Sequence, residues 1–508
     1  MSEPNPRQPF DEHDRRLLAG VQPPDWIYPA PKPRYHLVVI GAGTAGLVSA
    51  AGAAALGAKV ALVERHRMGG DCLNYGCVPS KALLRAARAI ADVRRASEFG
   101  VHIKGEVSVD FPAIMARMRR LRADISPNDS AQRFRDLGVD VFFGAAKFVG
   151  LDRVMVGDKT LPFRRAILAT GTRPDVPAIP GLAEAGYLTN ESVFSLTGLP
   201  LRLAILGGGP IGCELAQAFA RFGSRVLLFE KHDYILYREP RPASECIRRA
   251  LERDGVEFVM DTDIRRIDIK NDGTRVLTTQ RGEQQPREFE ADAILVAVGR
   301  LPNTEDLGLD AAGIETPPRD LVVVNDRLQT QNPRIFAAGD VCSYERFTHA
   351  ADAMARIAVQ NALFYGRAKM SKLVIPRCLY TDPEVASVGY DDAGGREYPE
   401  PFDAFEHPFK EVDRANLDGE TEGFVQIVVK KGTDRILRAT IVSRHAGDMI
   451  GEVALAMTGK LGLKTLAKTI HPYPTHGEAL RKIGDAYNRT RLTPTVRWLF
   501  DKWFRWTM

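Results

Sequence analysis

The feature that most constrains the fold is a short pattern that the sequence contains twice. Each copy has an apolar strand, a glycine-rich turn, an alanine-rich helix and a second strand that ends on an acid. The first strands are residues 35–40 and 201–206, and the acids, Glu64 and Glu230, lie equally far from the first glycine of their copies. The glycines have GxGxxG spacing and are Gly41, Gly43 and Gly46 in the first copy and Gly207, Gly209 and Gly212 in the second. This duplication predicts two α/β nucleotide-binding units.

These residue types suit a dinucleotide. Glycine lets the backbone turn tightly and approach a pyrophosphate, whose charge the N-terminus of the following helix stabilises. A carboxylate at the end of the second strand accepts hydrogen bonds from a ribose. Glycine turns before alanine-rich helices also arise as packing solutions, but two copies with correctly placed acids favour two nucleotide sites.

Close after the first copy, residues 69–81 read GGDCLNYGCVPSK and contain two cysteines, Cys72 and Cys77. Beside a bound redox cofactor, such a pair suggests a catalytic disulfide, although free cysteine also occurs as a small buried hydrophobe. The glycines, Pro79 and Lys81 form one run with the pair. This run resembles the active-site disulfide of the class I pyridine nucleotide-disulfide oxidoreductases, which include dihydrolipoamide dehydrogenase, glutathione reductase and mercuric reductase.

The resemblance covers nearly the whole chain and implies that the first fingerprint binds FAD. Residues 169–171 resemble the family's ATG turn, and residues 339–340 resemble its GD turn, whose aspartate bonds the ribityl chain. An isolated aspartate after glycine is usually only a turn residue. The implied FAD residues are Gly41, Gly43, Gly46, Glu64, Gly70, Thr170, Gly171, Gly339 and Asp340. The implied nicotinamide-nucleotide residues are Gly207, Gly209, Gly212, Glu230 and Gly299.

The resemblance also implies roles for the reacting side chains. Cys72 would be the outer thiol that meets the substrate, and Cys77 the inner thiol that contacts the flavin. A helix beginning around Pro79 would lower a cysteine pKa and favour the thiolate. Lys81 and Glu214 match the family's lysine–glutamate pair near the reactive flavin nitrogen; without the motifs they would read as surface residues.

Glu230 favours NADH over NADPH, because an NADP site needs cations to receive the 2′-phosphate. Lys231 and His232 follow immediately and would weaken that preference.

The C-terminal segment departs from the family, whose disulfide reductases carry a His-Pro-Thr-x-x-Glu motif that acts on the other subunit's thiols. Residues 471–478 read HPYPTHGE, so aligning Glu478 with the motif's glutamate puts Tyr473 in the histidine's place. Tyrosine, with an ordinary pKa of about 10, is a poor proton shuttle at neutral pH. His471 or His476 would replace the histidine only by breaking the spacing.

Mercuric reductase also carries tyrosine here, and residues 347–356 and 380–389 look more like that branch. It delivers its metal through a C-terminal cysteine pair, however, and this sequence has no cysteine after Cys378. Asp71 stands where the family usually has threonine, and the sequence gives no interpretation of it.

The predicted protein is therefore a homodimeric FAD enzyme that passes electrons from NADH through flavin to the Cys72/Cys77 disulfide and on to an unidentified small-molecule acceptor. It would be closest to the mercuric reductase-like branch, with no metal ligand set. One alternative is a dihydrolipoamide dehydrogenase-type activity on a dithiol. Another, of a different class, is a flavin-bearing membrane- or partner-binding module.

Composition agrees with a globular enzyme. The 508 residues suffice for about three domains. The net charge of +5 is mild, and arginine-rich residues 117–122 read as a solvated helix face, which argues against nucleic-acid binding. Six cysteines do not form a secreted framework, and no apolar run approaches the roughly 20 residues that span a bilayer. We expect a cytoplasmic protein, with peripheral membrane contact as the alternative.

The expected architecture is α/β, with two Rossmann-like dinucleotide-binding domains and a C-terminal α+β dimerisation domain. The predicted boundaries are a flexible or extended arm at 1–34, an FAD domain at 35–180 and 302–370, an NAD(P) domain at 181–301, a dimerisation domain at 371–490 and a tail at 491–508. The tail has apolar residues at helical spacing, including Trp498 and Trp503. Docking onto the dimer is favoured over an interfacial membrane helix.

Overall fold

The computed structural model describes residues 11–282, 285–317, 319–390 and 400–508. The chain divides into two compact units. The first unit contains the described residues up to Gly207, together with Ala218–Lys231 and Glu257–Leu373. The second contains Gly208–Gln217, His232–Val256 and the described residues from Val374 onward.

The helices and strands follow the predicted alternation in the first half of the chain. The helices are α1 Glu12–Val21, α2 Thr44–Ala55, α3 Gly70–Asn74, α4 Cys77–Arg94, α5 Phe111–Ile125, α6 Ala131–Asp136, α7 Leu182–Ala185, α8 Pro210–Phe222, α9 Arg241–Arg253, α10 Thr348–Phe364, α11 Asp413–Leu417, α12 Ala446–Thr458, α13 Leu463–Lys468, α14 Glu478–Thr490 and α15 Pro494–Thr507. The strands are β1 Tyr35–Ile40, β2 Val60–Glu64, β3 Val139–Phe143, β4 Ala146–Phe148, β5 Arg153–Val156, β6 Lys159–Leu168, β7 Thr172–Pro174, β8 Arg202–Leu206, β9 Arg225–Phe229, β10 Val256–Val259, β11 Asp263–Ile269, β12 Arg275–Gln280, β13 Arg287–Ala291, β14 Ala293–Val296, β15 Arg300–Pro302, β16 Ile335–Ala337, β17 Pro376–Leu379, β18 Glu384–Gly389, β19 Phe402–Pro408, β20 Phe424–Lys430 and β21 Ile436–Ser443.

The first sheet has β1 near its centre, with the order β3-β2-β1-β6-β5-β4 and β16 also paired with β6. β1 pairs in parallel with β2 and β6, with Val38 opposite Ala61 and Ala166. Nearly all of β1 is buried, because a parallel strand is covered on both faces. The carboxyl ends of β1, β2 and β6 therefore meet at one edge of the sheet. Gly41 follows β1, Glu64 is the last residue of β2, and Ala169 follows β6.

The second glycine-rich copy forms a similar parallel sheet with fewer strands. Its sheet has the order β10-β9-β8-β14, and β8 pairs in parallel with β9 and β14. A separate antiparallel sheet, β11-β12-β13, follows in the chain.

The C-terminal segment forms an antiparallel sheet with the order β17-β18-β21-β20-β19. Its core combines buried strand residues such as Val425 and Ile441 with Val453 of α12 and Leu480 of α14. Together with the two parallel sheets, this segment confirms the predicted α/β class with a C-terminal α+β part.

The structure corrects the prediction of a flexible or extended arm at residues 12–21, which form α1. Asp11 caps α1 by accepting a hydrogen bond from the backbone N–H of Asp14 (2.9 Å), and Leu17 and Val21 of α1 are buried. Trp26 Nε1 then donates to the carbonyl of Val141 in β3 (3.0 Å). The proline-rich reading overlooked the amphipathic pattern of EHDRRLLAGV behind an aspartate cap. The first ten residues lie outside the described part.

The tail forms the predicted amphipathic helix, α15, which begins after Thr493 caps the N–H of Val496 (3.3 Å). Its large apolar side chains are exposed in the single chain, and they are Trp498, Leu499, Phe500, Trp503, Phe504 and Trp506. Within the described ranges, no helix is both long and apolar enough to cross a membrane.

Candidate active site

The two predicted redox cysteines lie together in the first unit. Cys72 is in the short helix α3, and Cys77 is the first residue of α4, so this helix begins two residues earlier than predicted. Neither forms a disulfide in the structure, and a hydrogen bond joins their side chains. The amides and dipole at the start of α4 favour negative charge at Cys77.

A third side chain, Thr348, completes this thiol site. Its Oγ1 lies 3.4 Å from Cys77 Sγ, and it also hydrogen-bonds Cys72. Thr348 begins α10, so the N-termini of two long helices lie at the thiol pair. Sequence reasoning noted residues 347–356 only as a branch marker and did not select Thr348.

The environment of Cys72 favours its protonated form. The hydrogen bond with Cys77, burial and the negative charge of Cys77 raise the pKa of Cys72 well above its ordinary value. The hydrogen bond from Thr348 acts in the opposite direction and lowers it. Because the two sulfurs interact directly, the pair loses its two protons one after the other, and loss of the first makes loss of the second harder.

Asp71, which the sequence left without an interpretation, forms an ion pair with Arg300. Arg300 Nε donates to Thr172 Oγ1 (2.7 Å), which in turn donates to Asp340 Oδ2 (3.0 Å). This chain of contacts links the residue before Cys72 to the aspartate of the predicted ribityl site. Burial raises the pKa of Asp340, whereas Arg300 and the hydrogen bond from Thr172 lower it. Sequence reasoning missed Arg300, although it directly follows the predicted Gly299.

The disulfide loop is held from behind by α5 and the N-terminal segment. Asn74 Nδ2 donates to the carbonyls of Met68 (3.1 Å) and Gly70 (2.9 Å), and Arg122 Nη1 donates to the carbonyl of Asn74 (2.9 Å). Arg122 is buried and pairs with Asp14 of α1 (2.8 Å). The N-terminal helix therefore neutralises the cation that supports this loop.

The first fingerprint forms a cradle that side chains would fill. Gly41 has φ +100°, and a Cβ there would lie 2.3 Å from the carbonyl oxygen of Ala169. A Cβ on Gly70 (φ +55°) would lie 2.6 Å from the Cα of Gly43, so the disulfide loop and the fingerprint approach closely. A Cβ on Gly46 would overlap the carbonyl of Gly41. The backbone can thus come close to a pyrophosphate at this edge.

Glu64 and the turns at residues 169–171 and 339–340 also lie in the first unit. Glu64 is buried and accepts from the backbone N–H groups of Ala42 and His66, each at 2.7 Å, and burial raises its pKa. Each carboxylate oxygen keeps a second lone pair for a ribose hydroxyl. Thr170 Oγ1 donates to the carbonyl of Asn303 (2.8 Å), and Gly171 (φ +65°) and Gly339 (φ +81°) form turns that favour glycine. These residues fit the adenosine diphosphate half and the ribityl chain of FAD.

The second fingerprint has a similar first turn. Gly207 has φ +109°, and a Cβ there would lie 2.6 Å from the carbonyl oxygen of Ala297. Gly209 precedes α8, which contains Gly212, and Glu230 is buried directly after β9. The carbonyl of Gly299 accepts from the N–H of Asp175 (2.9 Å).

The predicted pair Lys81 and Glu214 is divided between the two units. Lys81 is half-buried in α4 of the first unit. Glu214 is buried in α8 of the second unit, where its Oε1 accepts from the N–H of Tyr380 (3.0 Å). Their interaction stays a prediction.

In the C-terminal segment, Tyr473 and Glu478 have separate partners. Tyr473 is 71% exposed, and its hydroxyl donates to Asp413 Oδ2 (2.9 Å), which raises the tyrosine pKa. Glu478 is buried, and its Oε1 accepts from Arg481 Nη2 (3.1 Å).

Both alternative histidines are engaged within their own unit. His471 Nε2 lies 3.0 Å from Glu452 Oε1, and His476 Nε2 lies 3.2 Å from Asp418 Oδ2. Their side chains are largely buried, in contrast to that of Tyr473.

Comparison with known proteins agrees with this geometry. Residues 35–356 match the family described as pyridine nucleotide-disulphide oxidoreductase, and residues 375–483 match its dimerisation domain. A mercuric reductase from Lysinibacillus sphaericus is 34% identical over 448 residues, which are 88% of this chain and 81% of that protein. A dihydrolipoyl dehydrogenase from Chlamydia trachomatis serovar D is 34% identical over 449 residues, which are 87% of this chain and 95% of that protein.

Solved structures show the same fold. The Cu(II) complex of the HOCl-induced flavoprotein disulfide reductase RclA from Escherichia coli matches with a TM-score of 0.78 and 28% identity, covering 90% of this chain and 100% of that chain. LpdA from Mycobacterium tuberculosis matches with a TM-score of 0.79 and 25% identity, covering 89% of this chain and 99% of that chain. The chain therefore belongs to the pyridine nucleotide-disulphide oxidoreductase family, whose members are FAD-dependent enzymes that use NAD(P)H.

Proposed function

We propose that this enzyme transfers electrons from NADH, through FAD, to the Cys72/Cys77 disulfide and then to a small-molecule acceptor. The observation that carries the proposal is the hydrogen-bonded pair of Cys72 in α3 and Cys77 at the start of α4, in a loop whose Gly70 packs against the fingerprint. When bound, FAD supplies the two-electron relay between the nicotinamide and the disulfide.

The residues of the first unit would divide this work. Gly41, Gly43 and Gly46 would admit the pyrophosphate, while Glu64 and Asp340 would bond the ribose and the ribityl chain. The site would be completed by Gly70, Thr170, Gly171 and Gly339.

The thiols have different proposed roles. Because its environment raises the pKa of Cys72, the first proton lost from the reduced pair would leave Cys77 as the thiolate. Cys77 would then be the inner sulfur, and Cys72 the outer sulfur that attacks the acceptor. Lys81 and Glu214 would form the ion pair beside the flavin.

NADH is the proposed reductant. Gly207, Gly209, Gly212 and Gly299 would form the nucleotide site, with the carboxylate of Glu230 on the ribose hydroxyls. A 2′-phosphate at that position would be repelled by Glu230.

The proposed acceptor is one whose reduction needs no acid–base group at position 473. Tyr473 holds its proton more firmly than an ordinary tyrosine, which makes it a poor general base. The alternative is a dihydrolipoamide dehydrogenase-type reaction in which His471 is the base.

An acceptor screen tests this function. NADH consumption is measured with disulfides, quinones and metal ions, first with the wild-type enzyme and then with Cys72→Ser. A true acceptor of this route is reduced by the wild-type enzyme and loses that reduction in Cys72→Ser. Acceptors that are reduced equally by both proteins would refute the disulfide route.

The match to the dimerisation domain supports a homodimer, in which Tyr473 and Glu478 would face the partner's thiols. We propose that the exposed aromatic face of α15 docks within this dimer. Light scattering of the full chain and of a chain ending at residue 491 measures the assembly, and liposome flotation tests membrane contact. Flotation of only the full-length chain would replace docking by an interfacial membrane helix.

A further inference from the structure

Three side chains of the second unit converge on one point. Glu420 lies between α11 and β20, His445 immediately precedes α12, and His476 lies shortly before α14. One ligand atom of each lies within 4.8 Å of the others. Separate elements therefore bring two imidazoles and a carboxylate to one point.

The distances approach those of a metal site. Glu420 Oε2 lies 3.8 Å from His445 Nε2 and 3.9 Å from His476 Nε2. Tetrahedral zinc with bonds of about 2.0–2.2 Å to nitrogen and oxygen places neighbouring ligand atoms roughly 3.3–3.5 Å apart. Small side-chain rotations would bring these atoms to that separation.

Two buried atoms at the cluster have no hydrogen-bond partner in the described part of the chain. They are Glu420 Oε2, which lies between the two imidazoles, and His476 Nδ1. Both side chains are largely buried, with His476 9% and Glu420 12% exposed. Buried polar atoms are nearly always paired, and an ion bound at Glu420 Oε2 would satisfy that oxygen.

Neighbouring side chains fix the ligand orientations. Arg444 Nη1 lies 2.6 Å from Glu420 Oε1, which leaves Oε2 directed to the imidazoles. Asp418 Oδ2 lies 3.2 Å from His476 Nε2 and 2.7 Å from Arg414 Nε. Asp418 would provide the fourth ligand, an oxygen, when His476 coordinates as neutral imidazole. The His445 side chain is 47% exposed and gives an ion a path from solvent.

We propose that Glu420, His445 and His476, with Asp418, bind one divalent transition-metal ion of the Zn²⁺ type. Imidazole and carboxylate together suit borderline ions such as Zn²⁺, whereas Ca²⁺ and Mg²⁺ prefer all-oxygen sites and soft ions prefer thiolates. The proposed ligand set contains neither Cys72 nor Cys77. His476 lies three residues after Tyr473 in the chain, so the bound ion would hold the segment that carries this tyrosine.

Zinc titration of the full-length FAD-bound protein tests the proposal. The Cys72→Ser/Cys77→Ser double variant is used as the background, so that thiols do not compete, and binding of Zn²⁺ alone is followed by calorimetry. We expect one equivalent to bind at pH 7.5 and binding to weaken as the solution is made more acidic, because protons compete with the metal for the ligand atoms.

Two substitutions in this background make the test specific. His445→Ala removes the most exposed ligand with little risk to folding, and His102→Ala removes an exposed histidine outside the cluster. His445→Ala should lower zinc affinity by about 100-fold or more, and His102→Ala should leave it unchanged. Absence of zinc binding, or equal affinity in His445→Ala and its parent, would overturn the proposal.

Discussion

The disulfide loop and the C-terminal segment 471–478 are built in opposite ways. The loop is buttressed within its own unit by Arg122 and by the N-terminal helix. In the segment 471–478, the histidines pair with side chains of the same unit, whereas Tyr473 is 71% exposed. Ile470, just before the segment, is 94% exposed. The contrast indicates that one chain holds a complete thiol pair, whereas the residue that would act on those thiols is presented outward.

The pKa of one side chain in each region is shifted in the same direction. The pKa of Cys72 is raised by its hydrogen bond with Cys77 and by burial, and the pKa of Tyr473 is raised by Asp413. Neither group releases its proton readily near neutral pH. These two side chains are therefore poorly suited to a reaction that needs proton transfer at the outer thiol. An enzyme with histidine at the position of Tyr473 would have a group that exchanges protons near neutral pH.

The largest expected effect is that of removing the inner thiol. Cys77→Ser should lower turnover of the natural acceptor by about 10³-fold or more, because the disulfide cannot form. Reduction of an artificial dye directly from the flavin should persist. Cys246→Ser is the matched control, since burial raises the pKa of Cys246 to about 11 and keeps that thiol inert. Equal losses in the two variants would contradict a special role for Cys77.

The buttress of the loop is tested by Asp14→Asn. This change leaves the guanidinium of Arg122 buried beside a neutral group, and we expect the free energy of unfolding to fall by about 3 kcal/mol. Asp124→Asn is the control, because its exposed pairs with Arg16 and Arg120 should contribute less than about 1 kcal/mol. Denaturant unfolding measures both values. A smaller loss in Asp14→Asn than in Asp124→Asn would mean that the N-terminal helix does not support the loop.

The missing proton shuttle is tested by Tyr473→His. Wild-type turnover of lipoamide should be poor, and the new imidazole should raise it by about 10²-fold if Glu478 orients the ring. Tyr473→Phe should change little. Brisk wild-type activity that survives Tyr473→Phe and collapses in His471→Ala would identify His471 as the base and restore dihydrolipoamide dehydrogenase-like chemistry.

Coenzyme preference should show a more moderate effect. NADH should exceed NADPH in kcat/KM by about tenfold or more, because Glu230 repels the 2′-phosphate. Glu230→Gln should narrow the ratio, whereas the exposed Glu288→Gln should not. Equal or better wild-type efficiency with NADPH would show that Lys231 and His232 dominate.

The smallest effect concerns pH. A raised pKa means less thiolate at a given pH, so alkylation of Cys72 in the reduced protein should be slow at pH 7 and still rise above pH 9. Thr348→Val removes a hydrogen bond that lowers this pKa and should shift the profile to higher pH. Mass spectrometry of alkylated peptides measures each cysteine. A Cys72 profile that levels off below pH 8 would contradict the environment described.

Local patterns predicted most of the fold, because each fingerprint encodes its strand, turn and helix within one short stretch. β1 coincides with predicted residues 35–40, and the glycine turns have the backbone conformations that only glycine adopts readily. Thr348 and Arg300 escaped prediction since they reach the site from distant parts of the chain. The N-terminal helix was missed because proline content was weighed above the cap and the apolar stripe.

The central claim, that electrons pass through the Cys72/Cys77 disulfide, is tested most directly by anaerobic reductive titration of the FAD-bound protein. The wild-type protein should accept about four electron equivalents, two for the flavin and two for the disulfide, and show a long-wavelength charge-transfer band after about two. Cys72→Ser should accept about two equivalents, and Cys77→Ser should lack the band. A wild-type protein that is fully reduced by about two equivalents, with no such band, would contradict the account.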